Sequence, residues 1–213
     1  MTLRPKTVAL AAALGLLASA GHAKKADPPA AASRGWPCEA EPQQALSLAQ
    51  YWPESGRAST GDTWQSDPAT AALVADIAPR SLGQEEGVAR IRDHATHAAD
   101  RRQTMARLIA GLVETIDFER RTIIAGIRHF NNRQGQLARR IEEGYRTLDA
   151  LPPAATEQRV AVQEQVDWDT RVFEDRQRML PIVCRQPALL ESRLKAFAEA
   201  ARAAANEDVP RPR

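Results

Sequence analysis

Aromatic side chains are scarce in this sequence, at 5% of 213 residues, and the β-branched residues are too thinly and irregularly spread to alternate as strands. A large sheet is therefore not expected. Cysteine is nearly absent too, with Cys38 and Cys184 the only two. There is no Cys-x-x-Cys, no Cys-x-x-Cys-His and no cysteine pair at zinc spacing, so redox exchange, haem attachment and zinc-finger architectures lack their residues. Also missing are a Gly-x-Ser-x-Gly elbow, a phosphate loop ending in Gly-Lys-Ser or Gly-Lys-Thr, a His-Glu-x-x-His and a dinucleotide fingerprint. These absences point away from an enzyme and from a cofactor. Finally, no proline occurs between Pro79 and Pro152, so nothing of that kind interrupts a helix through the middle of the chain.

What is abundant is alanine, at 40 residues, in a background of Leu, Arg, Glu and Gln. These are strong helix formers. The expected fold is all-α: one domain, built as an elongated helical hairpin or three-helix bundle, with an irregular Trp-rich N-terminal segment docked on it.

The N-terminus reads as an export signal. Arg4 and Lys6 precede an uncharged stretch from Thr7 to Ala23 whose apolar heart ends in small residues. Residues 1–23 are the expected signal peptide, cut after Ala23 with Ala20 as the alternative. An uncleaved anchor is the competing reading, at the short limit for spanning a bilayer. Export places the protein in the periplasm with no membrane span after cleavage. Residues 24–34, with Pro28-Pro29, form a flexible linker, and residues 206–213 a disordered tail. Without residues 1–23 the chain carries 27 basic and 27 acidic side chains. The charge is uneven: residues 101–150 hold 10 basic and 6 acidic groups, while residues 24–100 hold 7 and 11. A positive segment between acidic neighbours suits internal packing better than a surface for nucleic acid, which is not an expected partner.

In an oxidising compartment an even cysteine count reads as a disulfide, here Cys38–Cys184. It closes a loop of well over 100 residues, for which chain entropy predicts about 5 kcal/mol of stabilisation.

Within the helical domain, residues 35–205, the stretch 35–65 holds three of the four tryptophans along with several prolines and glycines. Trp36, Trp52 and Trp64 are expected to anchor this irregular segment, which has room for one short helical turn around Gln43–Gln50. A short helix follows over 67–78, capped by Ser66 or Asp67, with Pro68 first and Leu73, Val74 and Ile77 inward. Ser81-x-x-Gln84 has the form of a capping box for the next helix. From Val88 to Leu148 apolar residues keep mostly to steps of three and four, interrupted at Glu119 and with gaps at Arg102 and Gln134. One long helix over 82–150 is expected, either continuous or broken once. Its weak points are Gly111, Gly126, Gly135, Gly144 and Asn131-Asn132.

Pro152-Pro153 ends that helix, and Thr156 can cap the next, over 155–203 and kinked near 181–187 where Pro181 and Pro187 flank Cys184. Its main stripe is Val162, Val166, Phe173, Leu180, Val183, Leu190, Leu194 and Phe197. Beside it lies a second, Trp168, Val172, Met179 and Ile182. A face that wide predicts contact with two neighbouring helices. Folding back near residue 152 brings Cys184 close to Arg121.

Candidate chemistry is sparse. His94-x-x-His97 would share a helix face and is the best metal candidate, but a closed site needs ligands from another helix. Ser192-x-x-Lys195 matches serine-lysine acyl enzymes in spacing alone. The pairs Arg101-Arg102, Arg120-Arg121 and Arg139-Arg140 read as solvated stripes paired with the acidic C-terminal helix. Glu119 and Arg176, at would-be core positions, mark ion pairs or a partner groove.

The strings Trp36-Pro37-Cys38, Trp64-x-x-Asp67-Pro68, Ile124-Ala-Gly-Ile127-Arg128 and Val183-Cys184-x-x-Pro187 resemble a family of uncharacterised exported helical proteins of proteobacteria, over most of residues 35–203. The resemblance implies no activity and supports treating both cysteines as one structural feature. The function expected is a non-catalytic envelope scaffold or accessory protein that binds another envelope protein or a second copy of itself. The alternatives are a periplasmic metal- or small-ligand-binding module and a Spy-like helical chaperone.

Overall fold

The computed structural model describes residues 36–42, 45–53 and 63–206. The expected signal peptide, the linker and residues 207–213 of the expected tail lie outside the described residues. Every described element is helical: α1 (Leu48–Tyr51), a single 3-10 turn at Trp64–Ser66, α2 (Pro68–Ile77), α3 (Gln84–Thr96), α4 (Arg101–Ala150), α5 (Thr156–Cys184) and α6 (Gln186–Asn206).

α2 starts where the sequence predicts. The Asp67 carboxylate accepts from the Ala69 and Thr70 amides and Pro68 takes the first helical position. Val74 and Ile77 are buried and Leu73 half-buried. The turn after α2 closes over a side chain from the far end of the chain. Arg193 of α6 donates to the carbonyls of Ile77 and Leu82, both at 2.8 Å, and of Pro79 at 3.2 Å. The Ile77 carbonyl is one that the end of α2 leaves without an intrahelical partner. α3 then begins at Gln84 with Gly83 as its N-cap, not with the expected Ser81 box.

The long helix is broken once, at His97–Asp100, and none of the expected weak points is the break. Asp100 accepts from the Gln103 amide at 3.0 Å to start α4, while Arg101 Nε donates to the Ala95 carbonyl at 3.0 Å. α4 then runs unbroken for 50 residues through all four suspected glycines. Gly111 is there for proximity: a Cβ would come within 2.8 Å of both Trp64 and Val74.

One core joins four helices, one more than a three-helix bundle has. It is built from Val74 and Ile77 of α2, Ile91 and Ala95 of α3, Met105 to Ile116 of α4, and Leu190, Leu194, Phe197 and Ala201 of α6. At the centre lies a charged cluster. Arg120, almost without exposure, donates to Glu191 at 2.5 Å and pairs with Asp117 at 3.5 Å, and the Asp117 carboxylate also accepts the Leu46 amide at 3.1 Å. Arg120, not Glu119, is thus the in-register charge between Ile116 and Ile124. Its expected solvated stripe is corrected accordingly, though the pairing with the C-terminal part of the chain is as expected.

The later half of α4 and α5 form an antiparallel pair, reversed at Pro152-Pro153. Gln134 donates to the Phe173 carbonyl at 3.2 Å, Arg140 pairs with Asp169 at 2.5 Å, and Arg159 caps Leu148 and Leu151. Thr156 is the first residue of α5, with Ala155 as N-cap. The kink is an interruption at Arg185, one residue after Cys184. The disulfide Cys38–Cys184 is formed. Beside it Trp36, Ile124 and Ile127 make a second small core with Val183, about one turn from the expected Arg121.

Candidate functional site

α5 has the apolar width for two neighbours and the structure supplies one. It packs along α4 and makes only a marginal contact with α6. Its inner side, with Val166 and Asp169 buried, faces α4. The second stripe points outward: Trp168, Met179 and Ile182 are 60%, 51% and 46% exposed, with Val172 half-buried among them. Over the expected helix 155–203 two neighbours are found for its α6 part, which packs on both α3 and α4; among the described residues the α5 part has only α4 along its length. The stripe is nonetheless real, because positions three, four and seven apart fall on one side of a helix. Phe118 and Tyr145 on α4, Val160 on α5 and Leu189 on α6 are also exposed.

Beside the stripe an open groove of about 530 Å³ runs between α4 and α5. It is lined by Gly144, Ala161, Val162, Gln165 and Val166, together with the paired Arg140 and Asp169. At Gly144 α4 and α5 come close, since a Cβ there would collide with Val166. Charge frames the stripe. The Arg171 guanidinium lies 5.9 Å from the Trp168 ring centroid, in cation–π range, and Arg178 pairs with Asp175.

The tryptophans of the N-terminal segment are anchors. Trp52 is buried in the main core; Trp36 Nε1 donates to the Ala40 carbonyl at 2.8 Å, and Trp64 Nε1 to Glu114 at 2.8 Å. Glu119 pairs with Arg80 at 2.6 Å. Arg176 is exposed on α5, so its core placement is corrected.

His94 and His97 go to different partners. His94 Nε2 lies 3.3 Å from the Thr70 hydroxyl, which donates to Asp67 at 2.8 Å, and burial pulls the His94 pKa below its ordinary value. His97 Nδ1 is 3.0 Å from the Asp93 carbonyl oxygen of its own helix. Among the described residues no group of three or more His, Cys, Asp or Glu is placed to hold a metal ion. Ser192 and Lys195 are both exposed on α6. No helix among the described residues is long and apolar enough to cross a membrane.

Sequence reasoning passed over the charges buried in register, Arg120, Asp169 and Arg193. The available signal was that each occupies a three- or four-residue step inside an apolar stripe. Asp100-x-x-Gln103 likewise has the capping-box form that marks the start of α4. No family model, curated protein or solved structure matches this chain, so the functional reading rests on its own residues.

Proposed function

We propose that this protein is an exported, non-catalytic helical scaffold or accessory protein of the bacterial envelope, acting by protein–protein contact through the outer face of α5. The observation that carries the reading is the line of Trp168, Met179 and Ile182, about half exposed or more on a single helix face. A long helix with an apolar stripe on each side gains free energy by covering the second, at roughly 25 cal/mol per Å² of apolar surface removed from water. Trp and Met are enriched at the centres of protein interfaces. Periplasmic residence is supported by the export signal read in residues 1–23 and agrees with the disulfide.

The test is site-specific photo-crosslinking in cells that make the full chain, with a benzophenone amino acid at Met179 and, as control, at exposed Glu199 of α6. The reading expects a discrete protein adduct from Met179 and none from Glu199. Absence of any protein adduct at Met179 would overturn it. Export is checked separately, by sequencing the N-terminus of the periplasmic protein for a cut after Ala23 or Ala20.

A further inference from the structure

The row of charged residues that borders the outer stripe of α5 has an order that identifies the occupant. Glu157, Glu164, Arg171 and Arg178 follow one another at seven-residue steps along one side of the stripe, and all four are exposed. The acids occupy the first half of the helix and the bases the second. In a parallel copy this row would lie on the opposite side of the seam and face the other flank, where Glu164 would come to Asp169 and Arg171 to Arg176, acid against acid and base against base. Against an antiparallel copy it is complementary throughout: Glu164 meets Arg171, Glu157 meets Arg178, and both matches repeat on the other side of the axis. The two pairs are centred on the same point, between Asp167 and Trp168, so a single two-fold axis satisfies all four.

The apolar layers are centred one residue away, between Val166 and Asp167, close enough for one axis to serve both rows. Gln165, Trp168, Val172, Asp175, Met179 and Ile182 follow alternating steps of three and four, the spacing of a helix–helix seam. With the axis beside Trp168, the Trp168 indole of one copy lies against Gln165 of the other, and Val172 against Ala161. Gln165 and Ala161 line the open groove between α4 and α5. Asp175 falls opposite Gln158 of the other copy, a polar layer of the kind that fixes register.

Resting on the reading of α5's outer face as a protein-binding surface, we infer that its occupant is a second copy of this chain, docked antiparallel across a two-fold axis beside Trp168. The contact is isologous and closed, so it makes a dimer and not a filament. From Glu157 to Arg178 the charged row spans roughly 30 Å at 1.5 Å per residue. Arg171 stays over Trp168 at the edge of the seam, and Arg178 exchanges its local partner Asp175 for a shared one.

The experiment is light scattering and sedimentation equilibrium on the mature, oxidised protein, with a charge-swap series. The unsubstituted chain is expected to be a dimer at about 10 to 100 µM. Glu164→Arg and Arg171→Glu alone each place like charges together twice per dimer, and are expected to weaken it by about tenfold. The double variant Glu164→Arg/Arg171→Glu restores opposite charges only in an antiparallel pair of identical chains, and should return to within a few-fold of the original. Trp168→Ala should weaken the dimer at least as much as either single reversal. All these positions are exposed, and helix content by circular dichroism verifies that each variant folds. A monomer at every concentration, or a double variant no stronger than the singles, would overturn self-pairing. In the crosslinking experiment self-pairing predicts an adduct of twice the chain mass. A monomer whose Met179 crosslinks to a different protein sinks self-pairing and leaves the scaffold reading standing. No adduct at all sinks both.

Discussion

Arg120 and Glu191 meet at 2.5 Å in the centre of the bundle, bringing α4 and α6 together through 71 residues of intervening chain. The arginine side chain is 1% exposed and Glu191 21%. A charge so placed is tolerated because Glu191 and Asp117 both face it and because Asp117 is itself held by the Leu46 amide and by Arg121 at 3.0 Å. Arg120→Met alone leaves Glu191 without its cation and Asp117 with Arg121 only, and should cost about 3 to 5 kcal/mol in urea unfolding. Adding Glu191→Met removes the charge thus exposed to an apolar surrounding, and part of that loss should return. A double variant no more stable than the single would show that the cluster acts through Asp117 alone.

The glycines of the helices should respond to alanine with opposite signs. Nothing lies within 4 Å of a Cβ at Gly126, so Gly126→Ala should stabilise by roughly 0.5 to 1 kcal/mol through helix propensity. A Cβ at Gly87 would stand 2.7 Å from the Phe197 ring, which is fully buried between α3 and α6. Overpacking there should outweigh propensity and leave Gly87→Ala less stable by roughly 1 to 2 kcal/mol. Thermal unfolding of the two variants beside the parent checks both signs.

Reducing the Cys38–Cys184 bridge, or replacing both cysteines with serine, should lower stability by up to about 5 kcal/mol, since the closed loop has a sequence separation of 146. The loss should concentrate first where the bridge lies. Trp36 packs with Cys38 and Val183 against Ile124 and Ile127, so hydrogen exchange at residues 36–42 should rise before that of α6. Equal acceleration everywhere would mean that the bridge stabilises the whole domain and not this corner.

Stability should fall with acid in two separable steps. Burial holds His94 below its ordinary pKa, against the pull of Asp67, so the unfolded chain takes up this proton before the folded one does. The contribution is complete above the ordinary histidine pKa and is lost as the pH falls through it toward the lowered native value. The Thr70 hydroxyl lowers the Asp67 pKa, and the Arg140 hydrogen bonds lower that of Asp169. Their contribution is complete above the ordinary aspartate pKa and disappears as the pH falls through their lowered values. His94→Gln should abolish the upper step in the urea midpoint and leave the lower one. An unchanged upper step would assign it to another group.

Much of the architecture is written in local chemistry. Asp67-Pro68 fixes the start of α2, Pro152-Pro153 the reversal between α4 and α5, and Pro187 the interruption before α6, while α5 runs on through Pro181. Each acts on backbone groups within one helical turn, which is why it can be read along the chain. The alanine-rich composition excludes sheet by the same local logic, and the two cysteines, being the only ones, have a single way to pair.

The tertiary structure alone decided which side chains became interior and which stripe stayed outside. Arg193 looks like a surface residue until the carbonyls of Ile77, Pro79 and Leu82, more than 100 residues away, come within its reach. Arg120 is buried because Glu191 arrives to meet it. The second stripe of α5 announces a neighbour in its spacing, but spacing does not say whether the neighbour belongs to the same chain. Only the packing of α3, α4 and α6 around one another shows that, among the described residues, no helix covers Trp168, Met179 and Ile182. Helix boundaries follow from contacts a few residues long, whereas burial depends on which distant surfaces meet, and that is settled only when the chain has folded.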